Sequence, residues 1–174
     1  MNAREFMKQL DKIGWFEEVP AQRSRVLSAF KAHKNFYALA VTWFDTECIE
    51  GTGPGRPSYY SKIVEIAESS YGLFAPTAIH DELDWKKEIA HISFEQNGKR
   101  FSCDLTLHHD YFNEELLGVI NKAIHAGGKM SEFISLPTTD QTLPLALAPP
   151  EAYRKAVGLG LIPKMSDLME EDDF

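Results

Sequence analysis

Cysteine is scarce. Cys48 and Cys103 are the only two in 174 residues, which excludes a disulfide framework, and no Cys-x-x-Cys spacing offers a zinc or redox site. No apolar run approaches the roughly 18 residues of a membrane span. The opening residues Met1 to Leu10 carry Arg4, Glu5 and Lys8 and lack the apolar core of a secretory signal. With no export signal, reduced thiols in a cytoplasm are the expectation. Repeats and low-complexity tracts are missing too, which excludes solenoids and propellers. Bases are the minority charge: 18 Lys+Arg against 26 Asp+Glu give a net −8. Neutralising phosphates takes Lys and Arg, so this balance argues against a general nucleic-acid binder.

What is present is enough for a packed core. The chain is 44% hydrophobic and 11% aromatic, above what a disordered chain carries, with a mean hydropathy of −0.29. Charge is uneven. Residues 1–34 hold seven bases (Arg4, Lys8, Lys12, Arg23, Arg25, Lys31, Lys34) and four acids, whereas 165–174 holds five acids and no base. The aromatics among those bases, Phe6, Trp15, Phe16 and Phe30, stand at helical spacing, which reads as core rather than base stacking. No nucleic-acid or membrane partner is therefore expected.

Phe6, Leu10 and Ile13 predict a helix over Ala3 to Ile13. Pro20 suits the first turn of a second helix, from about Ala21 to Lys34. The run from Tyr37 to Phe44 reads equally as buried strand or helix. Gly51, Gly53, Pro54, Gly55 and Pro57 mark a loop. Ser58 is a candidate N-cap for a helix over Tyr59 to Ser69. Asn97-Gly98 is the signature of a type I′ turn, since both central residues need positive φ. It predicts a hairpin of Ile89–Gln96 with Lys99–Leu107. Phe94 then faces Phe101, Ile92 faces Cys103 and Ala90 faces Leu105, while Glu95, Ser93 and His91 meet Arg100, Ser102 and Asp104 on a polar face. Asn113 caps a helix to Ala126. Glu132–Leu136 and Thr142–Leu147 read as two more strands around a Thr138–Gln141 turn, with Pro144 demoting the latter to an edge strand or a bulged one. A short helix follows, Glu151 to Val157.

The expected fold class is α+β: an antiparallel sheet of about four strands from two hairpins, helices on one face, and a helical N-terminal region. The expected organisation is one domain over 1–164 (1–50 helical, 51–58 the Gly/Pro loop, 59–164 sheet-containing) and a flexible acidic tail, 165–174.

Chemistry is hard to find. Gly51 to Arg56 lacks the Gly-Lys-Ser/Thr of a phosphate loop, so a plain connector is expected. His108-His109-Asp110 lacks zinc spacing, and adjacent strand residues point to opposite faces. His80-Asp81-Glu82 with Asp84 lacks a calcium-loop pattern and reads as a solvated turn or helix start. Cys103 belongs to the apolar face, and Asp45, Glu47 and Glu50 near Cys48 oppose thiolate formation. No serine sits in Gly-x-Ser-x-Gly. No catalytic residue, cofactor site or metal site is assigned. Asp81, Glu82, Asp84 and Trp85, an acidic patch beside an aromatic, and Tyr111 are the candidate partner-binding residues.

From Tyr59 onward the order of features runs through Tyr60 to Ala75, then Ile89 to Leu105 with Phe94, Asn97-Gly98-Lys99 and Phe101. Leu116-Leu117-Gly118-Val119-Ile120-Asn121, Thr139-Asp140-Gln141-Thr142 and Pro150-Glu151 through Ile162 follow, covering roughly residues 59–163. This order resembles bacterial polymorphic-toxin immunity proteins and related uncharacterised bacterial families. The resemblance implies a non-enzymatic α+β protein that binds and blocks a cognate toxin, and it carries over no catalytic residue. Two other readings stand beside it: an enzyme or small-molecule-binding domain whose site is assembled only in the fold, and a regulatory or assembly module.

Overall fold

The computed structural model describes residues 1–171. The described residues form six α-helices and six strands, and the chain divides into two compact units. Residues 1–44 return with 130–174 to make the first, and 45–129 make the second. The architecture is α+β. It holds two three-stranded sheets rather than one sheet of about four strands.

The first unit carries α1 (Ala3–Lys12), α2 (Arg23–His33), β1 (Ala40–Asp45), β5 (Glu132–Ser135), β6 (Thr142–Ala148), α5 (Pro150–Gly158) and α6 (Met165–Glu171). Asn2 caps α1 by accepting the Glu5 N–H at 2.9 Å. The apolar stripe of α1 buries Phe6 and Leu10, and Phe6 stacks on Phe30 of α2 with ring centroids 3.9 Å apart. Trp15, Leu39, Ala146, Ala148, Ala152 and Ala156 complete this core. Residues 37–44 resolve into both structures at once: a 3₁₀ turn over Phe36–Leu39 leads into β1.

Sheet order here is β1-β6-β5, so β6 is the central strand, which overturns the edge-strand alternative for Pro144. Pro144 is accommodated because the regular ladder with β5 starts beyond it, at Ser135 opposite Leu145. Its carbonyl still accepts the Leu136 N–H at 2.8 Å. The side chains of both faces of β6 are buried, which explains its unbroken apolar run from Leu143 to Ala148. The Glu18 carboxylate accepts the N–H groups of Met130 and Ser131, and Gln22 donates to the Leu147 carbonyl at 2.9 Å. Those bonds tie the two sequence-distant parts of the unit together. In the acidic C-terminal stretch, Met165–Glu171 is helical and the last three residues lie outside the described residues.

The second unit carries α3 (Tyr59–Glu68), β2 (Thr77–Asp84), β3 (Ile89–Gln96), β4 (Lys99–Thr106) and α4 (Glu115–Ala126). Its sheet order is β2-β3-β4, antiparallel throughout. The Asn-Gly hairpin has the expected register from Gln96 opposite Lys99 to Ala90 opposite Leu105, with φ of 52° at Asn97 and 74° at Gly98. Helix α3 packs against β2 and α4 against β4, covering the face that carries Ala90, Ile92 and Phe94. Ser58 and Ser61 form a reciprocal capping box at the start of α3. The Gly/Pro loop of residues 51–58 lies inside this unit.

Strand β2 is the element the sequence pattern conceals. His80-Asp81-Glu82, expected as a turn or helix start, lies mid-strand, with Asp81 opposite Ile92 and Glu82 opposite His91. No helix among the described residues is long and apolar enough to cross a membrane.

Candidate functional site

The five candidate residues separate by strand alternation. Asp81 takes the inner side of β2, where it is only 6% exposed. Its Oδ1 accepts the Gly53 N–H at 2.8 Å and its Oδ2 accepts the Tyr60 N–H at 3.2 Å. A charge there is tolerable because two main-chain donors, one of them in the first turn of α3, replace its water. Asp81 is thus an internal clamp on the Gly/Pro loop, turned away from the surface where a partner would meet it. Glu82 takes the outer face, in a cross-strand row with His91 and Asp104. His91 Nδ1 lies 2.6 Å from Asp104 Oδ1 across the two strands, the exposed polar pair that the hairpin register predicts.

Asp84, Trp85 and Tyr111 all lie in segments at one end of this sheet. Its last aligned positions are Asp84, Ile89 and Thr106. Trp85 sits in the turn just beyond, and residues 107–111 follow β4 off the same end. The Leu107 N–H donates to the Glu88 carbonyl at 2.8 Å, holding the two segments side by side. Asp84 Oδ1 accepts the N–H groups of Lys86 and Lys87 at 3.1 and 3.0 Å, so the turn is fixed from within. The indole of Trp85 is left 49% exposed on that ordered turn.

Tyr111 is held as firmly. Its main-chain N–H donates to the His108 carbonyl, and its hydroxyl donates to Glu47 Oε1 at 2.7 Å. That bond to a carboxylate raises the Tyr111 pKa above its ordinary value, with the charge of Glu47 adding to it. The adjacent Asp110 carbonyl accepts the N–H groups of both Cys48 and Ile49 at 2.9 Å. The result is a rigid end with two exposed aromatics, the carboxylates of Glu47 and Asp84, and Lys86 and Lys87 beside them.

No family model matches this chain, and neither a curated protein nor a solved structure shows significant similarity to it.

The thiols are poor nucleophiles. Burial, with Glu65, Asp45 and Asp110 adding to it against an opposing Lys62, pushes the Cys48 thiol up to about 11. Burial also leads for Cys103, likewise pushed to about 11 with help from Asp104 and Glu115. Both are protonated at neutral pH. Among the described residues, no group of three or more His, Cys, Asp or Glu stands close enough to hold a metal ion. His108-His109-Asp110 forms a tight turn with φ of 53° at His109.

In the first unit, a groove of about 820 Å³ is bordered by Lys8, Lys12 and Lys155 together with Glu5, Ile13 and Leu159. The N-terminal bases do not all share one surface role. Arg23 forms two bonds to Asp11, and Arg25, partly buried, donates to the Ala40 carbonyl at 2.7 Å.

Glu47 and Gln96 are the residues sequence reasoning missed. Glu47 is 64 positions from the tyrosine it anchors, so no local pattern links them. Gln96 is buried and clips the 73–75 segment, donating to the Leu73 carbonyl and accepting the Ala75 N–H. Its place beside a hairpin turn signals only a polar surface residue.

Proposed function

We propose that this chain is a non-enzymatic binding protein of the bacterial cytoplasm, an immunity protein that binds and blocks a cognate toxin domain. The docking surface in this reading is the Trp85 and Tyr111 end of the second unit, with Glu82, Asp84 and Glu47 around it. The observation that carries the reading is Trp85, a large aromatic held half exposed by a turn that Asp84 fixes from within. A rigid indole loses little conformational freedom on binding, and exposed Trp and Tyr are the residue types that dominate binding energy in protein interfaces. The carboxylates around it suit a basic partner surface, where opposite charge speeds association. The protonated thiols supply no competing nucleophile.

The test is co-expression with the protein encoded by the reading frame beside this chain's gene. The reading expects rescue of growth and a stable complex that survives purification. A toxic neighbour that kills equally with and without this chain, and forms no complex with it, overturns the reading.

A further inference from the structure

We propose that β4 is a self-pairing edge: two copies of this chain join through their β4 strands, antiparallel and centred on Ser102, into one continuous six-stranded sheet. This surface is separate from the Trp85 end, and the inference does not depend on the immunity reading.

Strand β4 is the outer strand of β2-β3-β4. Its main-chain phase follows from the turn. A two-residue loop makes Gln96 and Lys99 the closing hydrogen-bonded pair, and bonded pairs then alternate outward along the ladder. Phe101, Cys103 and Leu105 therefore spend their N–H and C=O groups on β3. Those of Arg100, Ser102 and Asp104 are directed away from it. The Thr106 carbonyl has the same phase, and the Asn113 side-chain amide reaches it from outside the ladder at 3.1 Å. That bond agrees with the phase and terminates the open edge.

The open stretch reads basic, neutral, acidic. A two-fold axis at Ser102 sets Arg100 of each copy opposite Asp104 of the other and pairs the two serines. Moving the axis to position 100 or 104 instead sets like charges face to face, which antiparallel pairing penalises. Axes at 101 or 103 set Arg100 and Asp104 opposite neutral residues, so the register centred on Ser102 is the one that pairs the two charges. Three such pairs supply about six main-chain hydrogen bonds.

Two further observations favour a strand at this edge. On the core side, Ile92 and Phe94 of β3 are fully buried, whereas Phe101 and Cys103 of β4 are only partly covered. In the paired sheet each Phe101 stands opposite Cys103 of the second copy. The other edge is protected by a register irregularity between Thr77 and His80, with φ of 49° at Ala78. A break of that kind bends the strand and discourages edge pairing there. Strand β4 has neither a bulge nor a proline.

Sedimentation velocity across a micromolar concentration series tests the proposal on the full chain. Wild type is expected to show a reversible monomer–dimer equilibrium. Arg100→Glu and Asp104→Arg each set like charges opposite one another in the homodimer, and each is expected to weaken self-association about tenfold or more. Mixing the two variants restores opposite charges at both positions, so an equimolar mixture is expected to dimerise as wild type does. Ser102→Pro removes only an outward-facing N–H and is expected to leave a folded monomer. Circular dichroism on every variant separates lost pairing from lost folding. A wild-type chain that stays monomeric throughout overturns the proposal, as does a mixture that associates no better than its components. Because recovery in the mixture needs two copies of this strand, pairing with a foreign strand cannot produce it.

Discussion

The Asp81 carboxylate accepts the main-chain N–H of Gly53 at 2.8 Å, which ties the Gly/Pro loop to the middle of a β-strand. Its second oxygen takes the Tyr60 N–H at the start of α3. A single buried side chain thus joins loop, helix and sheet. Asp81→Ala is expected to lower stability by about 2 kcal/mol, because it leaves two main-chain donors without an acceptor. Denaturant unfolding reads the loss. Hydrogen exchange should show faster exchange at Gly53 and Tyr60 while the β3–β4 ladder keeps its protection.

The hairpin turn gives a second prediction. Gly98 has φ of 74°, and a Cβ placed there meets nothing within 4 Å. Any penalty of Gly98→Ala therefore comes from the backbone conformation and not from a clash. The expected cost is about 1 kcal/mol, read as a shift of the unfolding midpoint with an unchanged denaturant slope.

Alkaline pH gives a third. Burial pushes Cys48 and Cys103 up to about 11 and Tyr59 up to about 12. Ordinary thiols and phenols ionise earlier, so in this range the unfolded chain releases protons first. Folding then favours the protonated form. The resulting stability is complete below about pH 8 and declines as pH rises from there toward 12. Unfolding free energies measured across this range should fall, and Tyr59→Phe should flatten the part of the decline above about pH 10. Alkylation of the native protein at pH 8 should be slow at both cysteines.

The same residues explain which features were legible in the sequence. The β3–β4 register was legible because a two-residue Asn-Gly turn fixes the pairing and a slip of one residue would turn Phe94 and Ile92 to the solvent side. Strand β2 was not, because its central inward position, between Ile79 and Leu83, is a carboxylate, Asp81, where an apolar residue marks a strand. The burial of that carboxylate is made possible by Gly53, 28 positions away. Pro144 argued for an edge or a bulged strand, yet β6 is central, and the proline is tolerated because it lies outside the regular β5 ladder. Two sheets replaced one because the chain leaves the first unit after Phe44 and returns at Met130, a pairing between distant segments that local periodicity does not encode. At the candidate site, Trp85 and Tyr111 were visible as aromatics. The Glu47 bond that orients Tyr111, and the inward turn of Asp81, required the fold.

The central claim is that Trp85 anchors a protein partner. Titration calorimetry of wild type and Trp85→Ala against the purified protein encoded by the neighbouring reading frame tests it most directly. Because the indole is 49% exposed, its removal should leave the unfolding midpoint nearly unchanged. The account predicts that binding weakens by about 30-fold, the loss of about 2 kcal/mol typical of an anchoring tryptophan. An unchanged affinity in the folded variant would contradict it.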